Sequence, residues 1–169
     1  MTHHRTVSLI GMPGVGKSTV GVLLAKQLGL GFLDTDLEIQ RREDGTLQSI
    51  LERSGYRYLR DVEEAVLLEV PLAGQVVSTG GSVVYSEDSM ARLLAAGPVV
   101  YLAAPCETLE ARVKAAPPRG IASDPSLSFA ALYAQRTPLY ERFATLTVDT
   151  AGAAAEDVAT EIAGKLLHT

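Results

Sequence analysis

Gly11-Met12-Pro13-Gly14-Val15-Gly16-Lys17-Ser18 is the stretch that decides the fold. It matches the eight-position pattern G-x-x-x-x-G-K-[ST], and its flanks give the match a meaning. Thr6 to Ile10 is a short, largely apolar run, and Ser18 to Leu28 places Val20, Leu23, Leu24 and Leu28 on one helical stripe. Strand, glycine loop and helix in that order aim successive backbone N–H groups at phosphate oxygens at a helix N-terminus. Lys17 would reach the β- and γ-phosphates as a point charge, and the Ser18 hydroxyl would ligate a Mg²⁺ ion bridging the same oxygens. The bland reading is a glycine-rich turn without a ligand. The Lys-Ser register and the flanking elements favour a bound nucleoside triphosphate.

Outward from this loop, apolar runs rich in β-branched residues alternate with stretches of helical period, the pattern of β-α units and a mostly parallel sheet. Gly31 to Leu33 reads as a weak second strand, followed by a polar helix around Leu37 to Arg42, a break at Gly45 and a helix near Leu47 to Arg53. Leu59, Val62, Val66 and Leu67 give Tyr58 to Val70 a helical period, and Gln75 to Ser78 reads as a buried strand ahead of a Gly80-Gly81 turn. A helix from Asp88 to Ala95, a fourth strand from Val99 to Leu102 and a helix from Glu107 to Lys114 follow. Thr145 to Val148 is a fifth strand, and Ala154 to Leu167 the closing helix. Ala115 to Ser126 holds Pro117, Pro118, Gly120 and Pro125 with no periodicity, and a loop that long in a compact domain is often a lid. No element is assigned to residues 127–144.

Composition sets the outer limits. A chain of 169 residues, 47% hydrophobic and 21% charged, has the size of one domain spanning 1–169. It can bury roughly two-thirds of its unfolded surface, which excludes intrinsic disorder. The net charge of −5, from 15 basic and 20 acidic residues, argues against nucleic acid as a partner. Cys106 is the only cysteine, so there is no internal disulfide or cysteine-based zinc cluster, and a reducing compartment fits best. His3 and His4, adjacent near the start of the chain, read as incidental rather than as metal ligands. No stretch approaches the roughly 20 apolar residues of a membrane span, so a cytoplasmic protein without a membrane partner is expected.

The remaining candidates sit where strands end. Asp34 and Asp36 close the second strand, and carboxyl ends of strands face the ligand crevice in open α/β sheets. One carboxylate could hold the metal's water shell and the other accept a hydroxyl proton; alternatively either simply caps the next helix. Arg60 and Glu63, three apart on one helix face, read equally well as a surface ion pair. Gly80-Gly81 would let a ligand approach the backbone, or is a plain tight turn. Arg119 in the proline-rich loop could swing over a transferring phosphoryl group, and Arg136 opens the run Arg-Thr-Pro-Leu-Tyr; for both the bland reading is a solvated arginine.

Taken together, Gly11 to Thr19, Leu33-Asp-Thr-Asp36, Gly55…Arg60-x-x-Glu63, Ser78-Thr-Gly-Gly81, Arg119 and Arg136-x-Pro-Leu-Tyr140 resemble the shikimate kinase family from about residue 6 to 150. The resemblance implies a three-layer P-loop kinase fold of nucleoside-monophosphate-kinase type, with a five-stranded parallel sheet and a lid near 115–126. It implies transfer of the ATP γ-phosphoryl group to the 3-hydroxyl of shikimate, with Mg²⁺, in a monomer. By the same resemblance Gly14, Val15, Gly16, Lys17, Ser18 and Thr19 hold the nucleotide, Arg112 stacks on adenine, and Ser18 and Asp34 serve the metal. Asp36, Lys17 and Arg119 are implied as catalytic, with Asp36, Arg60, Gly80, Gly81, Ser82 and Arg136 around the acceptor. The chain departs from the family's usual residues at Tyr56 (Glu), Leu59 (Phe), Ser82 (Gly) and Gly120-Ile121-Ala122 of the lid (Pro-Leu-Leu). All four surround the acceptor side, so a kinase for another small hydroxylated acid, or a nucleotide-binding module without turnover, is kept as an alternative.

Overall fold

The computed structural model describes residues 5–168, so His3 and His4 lie outside the described residues. Five strands, β1 (Val7–Ile10), β2 (Gly31–Asp34), β3 (Gln75–Ser78), β4 (Val99–Ala103) and β5 (Leu146–Asp149), form one parallel sheet in the order β2-β3-β1-β4-β5. The burial follows that order. Every residue of central β1 is buried, whereas β2 and β5 at the edges are largely half-exposed. This is why Gly31 to Leu33 carries only a weak strand signature.

Helices α1 (Lys17–Leu28), α2 (Thr35–Glu43), α3 (Leu47–Glu69), α4 (Glu87–Ala96), α5 (Cys106–Ala115), α6 (Phe129–Phe143) and α7 (Ala155–Leu167) connect and cover the strands. From β1 the chain crosses to β2 in one direction along the sheet, and every later strand-to-strand step runs the other way. Right-handed crossovers therefore put α1 on one face and α2 to α6 on the other, giving three layers. The closing α7 packs on α1, where Gln27 Nε2 donates to Thr160 Oγ1 at 3.1 Å. Because all strands run parallel, Ile10, Asp34 and Ser78 end at the same rim, and the loops that leave this rim carry the site.

Four differences from the sequence reading have local causes. Helix α2 begins at Thr35 because Asp34 caps it, its side chain accepting from Asp36 N at 2.9 Å. The two helices expected over Leu47 to Arg53 and Tyr58 to Val70 are one run, α3, broken only at Gly55 (φ 85°, ψ 169°). A 3-10 turn, Val83–Tyr85, follows the glycine pair. The fourth is α6, which was not anticipated. Pro138 lies inside it and its buried stripe of Leu132, Arg136 and Tyr140 contains a charge, so both the usual signals were masked.

The cap of α6 is Ser128, whose hydroxyl accepts from Ala131 N at 3.1 Å. Ser128→Ala is expected to lower stability by about 1 kcal/mol in a urea melt. Unchanged stability would show that packing of the stripe alone sets the start of this helix.

Candidate active site

The phosphate loop is built as its sequence demands. Gly16 is the N-cap of α1 at φ 99°, a torsion that side chains rarely adopt, although a Cβ there would meet nothing within 4 Å. Its glycine is needed for backbone torsion and not for space. Lys17 is 9% exposed, and its ammonium donates to Gly11 O at 2.7 Å and Met12 O at 3.1 Å. Burial brings its pKa down from 10.5 to about 8, with Arg136 and Arg119 adding to the shift and Asp36 and Glu63 opposing it. Val15 is buried in the core, and its N–H turns to Met12 O at 3.3 Å.

Ser18 and Asp34 form an oxygen pair. Ser18 Oγ donates to Asp34 Oδ2 at 2.8 Å and lies 3.2 Å from Ser78 Oγ. Asp34 caps α2 through its other carboxylate oxygen, so the capping reading holds and still leaves Oδ2 facing Ser18. A hydroxyl and a carboxylate are the hard donors Mg²⁺ takes, and Mg²⁺ usually draws its remaining ligands from water and phosphate. The pair fits that ion, and among the described residues no group of three His, Cys, Asp or Glu residues forms a site for another metal.

Across from the loop, carboxylates and guanidiniums share one wall. Burial, and then the nearby charge of Asp34, raises the Asp36 pKa from 3.8 to about 6. Burial likewise raises Glu63 from 4.5 to about 7, against the hydrogen bond donated by Ser82 Oγ. Glu63 is thus not the surface partner of Arg60. It fills the space beside Gly80, where a Cβ would collide with its carboxylate, and a Cβ on Gly81 would lie 2.8 Å from Arg136 Nη1. The glycine pair makes room for charged side chains. Gly81 is held in turn by Tyr140, whose hydroxyl donates to its carbonyl at 2.6 Å.

Arg136 is 1% exposed, which removes the solvated reading for it. Its Nη2 and the Nε of Arg60 both donate, each at 3.0 Å, to one atom, the carbonyl oxygen of Ala122. Ala122 lies in the irregular 116–128 connection, where Gly120 N also donates to Gln48 Oε1 at 3.0 Å. Two cations on different helices therefore converge on a single oxygen supplied by the loop.

A cavity of about 510 Å³ joins these parts, within the range of small-molecule sites. Gly14, Gly16, Lys17, Ser18, Thr19, Asp36, Gly80, Gly81, Ser82, Arg119 and Arg136 line it. Val15, Asp34, Arg60 and Arg112 do not: Asp34 acts from behind Ser18, Arg60 borders a smaller neighbouring pocket, and Arg112 reaches the loop only through Gly14 O at 3.3 Å. Sequence reasoning missed Glu63 as a lining residue, along with Gln48 and the two prolines Pro117 and Pro118. Glu63 had a legible signal. It sits one turn after Leu59 and one turn before Val66 and Leu67, so a carboxylate occupies the border of the buried stripe.

The family model described as shikimate kinase matches residues 13–167. Shikimate kinase 1 of Yersinia enterocolitica is 38% identical over 170 residues, covering 98% of each chain. Among solved structures, shikimate kinase from Acinetobacter baumannii in complex with shikimate superposes with a TM-score of 0.85 at 32% identity, covering 98% of this chain and 95% of that one. Shikimate kinase from Aquifex aeolicus gives 0.81 at 31% identity over 95% of each.

The raised Asp36 pKa has a thermodynamic consequence. Between pH 3.8 and about 6 the folded chain keeps a proton that the unfolded chain has lost, so stability falls as pH rises through that window. Asp36→Asn cannot titrate. In urea melts of the free protein the Asn variant is expected to gain on the parent as pH rises through this window, and to stay ahead at pH 7. Parallel curves for the two proteins would show that Asp36 titrates normally.

Proposed function

The chain belongs to the shikimate kinase family, and on that premise we propose that it transfers the γ-phosphoryl group of ATP to the 3-hydroxyl of shikimate. The observation that carries this reading is a single cavity lined both by Lys17 and Ser18 of the phosphate loop and by Asp36 and Arg136 opposite them. A phosphate cradle, a proton acceptor and a carboxylate-binding cation thus open on the same space.

Each residue has a task that its position supports. The backbone of Gly14, Gly16 and Thr19 cradles phosphate at the start of α1, Val15 contributes to the loop by its fold, and Arg112, which donates to Gly14 O, would stack on adenine. Ser18 and Asp34 would hold Mg²⁺, which when bound neutralises charge on the β- and γ-phosphates. Asp36 accepts the proton of the 3-hydroxyl as that oxygen bonds to the γ-phosphorus and the bond to the β-γ bridging oxygen breaks, releasing ADP. Lys17 and Arg119 face the charge that spreads over the transferring group. Arg60 and Arg136 take the acceptor's carboxylate, a group that guanidinium forks match well, while Gly80, Gly81 and Ser82 border the ring. Residues 115–126 are read as the lid, and its Ala122 carbonyl takes up N–H groups of the two arginines that the carboxylate must reach.

Residues 1–169 are read as one catalytic domain. All the proposed residues come from one chain, so a monomer suffices. A net charge of −5 disfavours nucleic acid, no helix among the described residues is long and apolar enough to cross a membrane, and the single cysteine fits a reducing compartment such as the cytoplasm.

ADP release with Mg-ATP, measured against shikimate, quinate, gluconate and nucleoside monophosphates, tests the reading. Turnover is expected with shikimate alone, and Lys17→Ala should reduce it about a hundredfold or more, as removal of a preorganised charge-stabilising donor does elsewhere. Turnover with another member of the panel in preference to shikimate would reassign the acceptor, and full activity of the Ala variant would remove Lys17 from catalysis.

The acid limb of the pH profile is a second check. With Asp36 at about 6 in the free protein, kcat/KM for shikimate is expected to rise with pH through that value and level off above it. A profile flat from pH 5 to 8 would mean that Asp36 does not act as the base.

A further inference from the structure

Arg60 and Arg136 present an electrostatic problem that the proposed chemistry does not solve. Two permanent cations, one on α3 and one on α6, donate to the same oxygen, yet among the described residues neither forms an ion pair. Like charges that close repel, and the Glu63 carboxylate, whose field reaches both, accepts from Ser82 and pairs directly with neither. Arg136 Nε is moreover buried with no hydrogen-bond partner, so the pair is not satisfied by the Ala122 carbonyl alone.

An aromatic ring stands against both. The Arg60 guanidinium carbon lies 4.2 Å from the centre of the Tyr85 ring and 5.0 Å from that of Tyr56, and the Arg136 guanidinium carbon lies 5.4 Å from that of Tyr85. Tyr85 is itself fixed. It closes the 3-10 turn after Ser82 beside buried Val83 and Val84, and its hydroxyl donates to Gln135 Oε1 at 2.6 Å, on the residue that precedes Arg136. The ring is thus anchored to the helix of one arginine while it meets the other.

We propose that Tyr85 is a positioning residue for acceptor recognition, its ring holding the two guanidiniums converged on the oxygen position that the acceptor carboxylate will take. The proposal rests on Arg60 and Arg136 being the carboxylate-binding pair. A ring suits this role better than a carboxylate would. Its quadrupole attracts a cation through the face of the guanidinium and leaves the N–H edge free for the ligand. A Glu or Asp in its place would satisfy the same N–H groups and compete with the acceptor. Tyr85 is outside the cavity wall, so it acts through the arginines and not by touching the acceptor.

Steady-state kinetics with three variants decide the matter. Tyr85→Leu removes the ring, Tyr85→Phe keeps it without the hydroxyl, and Arg60→Lys keeps the charge without the fork. Loss of cation–π contacts of this kind predicts that Tyr85→Leu raises KM for shikimate about tenfold while KM for ATP stays within about twofold and kcat changes little. Tyr85→Phe should restore shikimate KM to near the parent value. If Tyr85→Leu is too unstable to assay, Tyr85→Met carries the same expectation. A shikimate KM unmoved or lowered by loss of the ring, with Arg60→Lys raising it, would overturn the role of Tyr85 and leave the carboxylate-binding pair standing. A shikimate KM unmoved by Arg60→Lys would overturn both.

Discussion

The acceptor side of this molecule is organised around the burial of one permanent charge. Arg136, at 1% exposure, cannot discharge itself by losing a proton, so the fold must supply what water no longer does. It supplies a backbone carbonyl from the 116–128 connection, the face of Tyr85, and the field of Glu63. Each of these ties a different element to α6. The glycine at 81 leaves the space for the guanidinium, and Tyr140, one turn further along α6, fixes the glycine's carbonyl. Remove the charge and the reason for the arrangement disappears, although most of the sheet would be untouched.

Burial also explains why the site holds its ionisable groups so far from their ordinary values. Lys17 is brought down to about 8, while Asp36 and Glu63 are pushed up to about 6 and 7. In each case desolvation is the largest cause, and the opposite charges only soften it. Such a site spends folding stability to keep charges in place ahead of the ligand, so that little has to reorganise when phosphate and acceptor arrive. It also brings Asp36 close to neutrality, where the general base proposed for it would work best.

The sheet and the phosphate loop were legible because each is governed by local rules. The period of the apolar residues gave the five strands, and the spacing of Gly11, Gly14, Gly16, Lys17 and Ser18 gave the loop between β1 and α1. What escaped depends on contacts between distant elements. The helix α6 hides behind Pro138 and an arginine in its buried stripe. Glu63 shows in sequence as a carboxylate on the border of the α3 stripe, but its enclosure by Ser82 and Gly80 at the β3 rim does not. The convergence on Ala122 could not be read at all, since a backbone carbonyl carries no trace in the residue type. Arg60 was legible as a residue but not in its placement, beside the cavity and not in its wall.

The departures from the family's usual residues form one connected set rather than scattered losses. Tyr56 lies against Arg60, Ser82 bonds Glu63, Leu59 is buried one residue before Arg60, and Ala122 gives both arginines their oxygen. The one charge they change is at position 56, where Tyr stands in place of the family's usual Glu, while Arg60, Arg136, Asp36 and Glu63 are all retained. What shifts is how those charges are restrained. A hydroxyl on Glu63 favours its ionised form against the desolvation that raises its pKa, and aromatic faces restrain Arg60 without occupying its N–H groups. The substitutions are mutually consistent as a different way of holding the two arginines and Glu63, which favours an acceptor of unchanged chemistry over a new one.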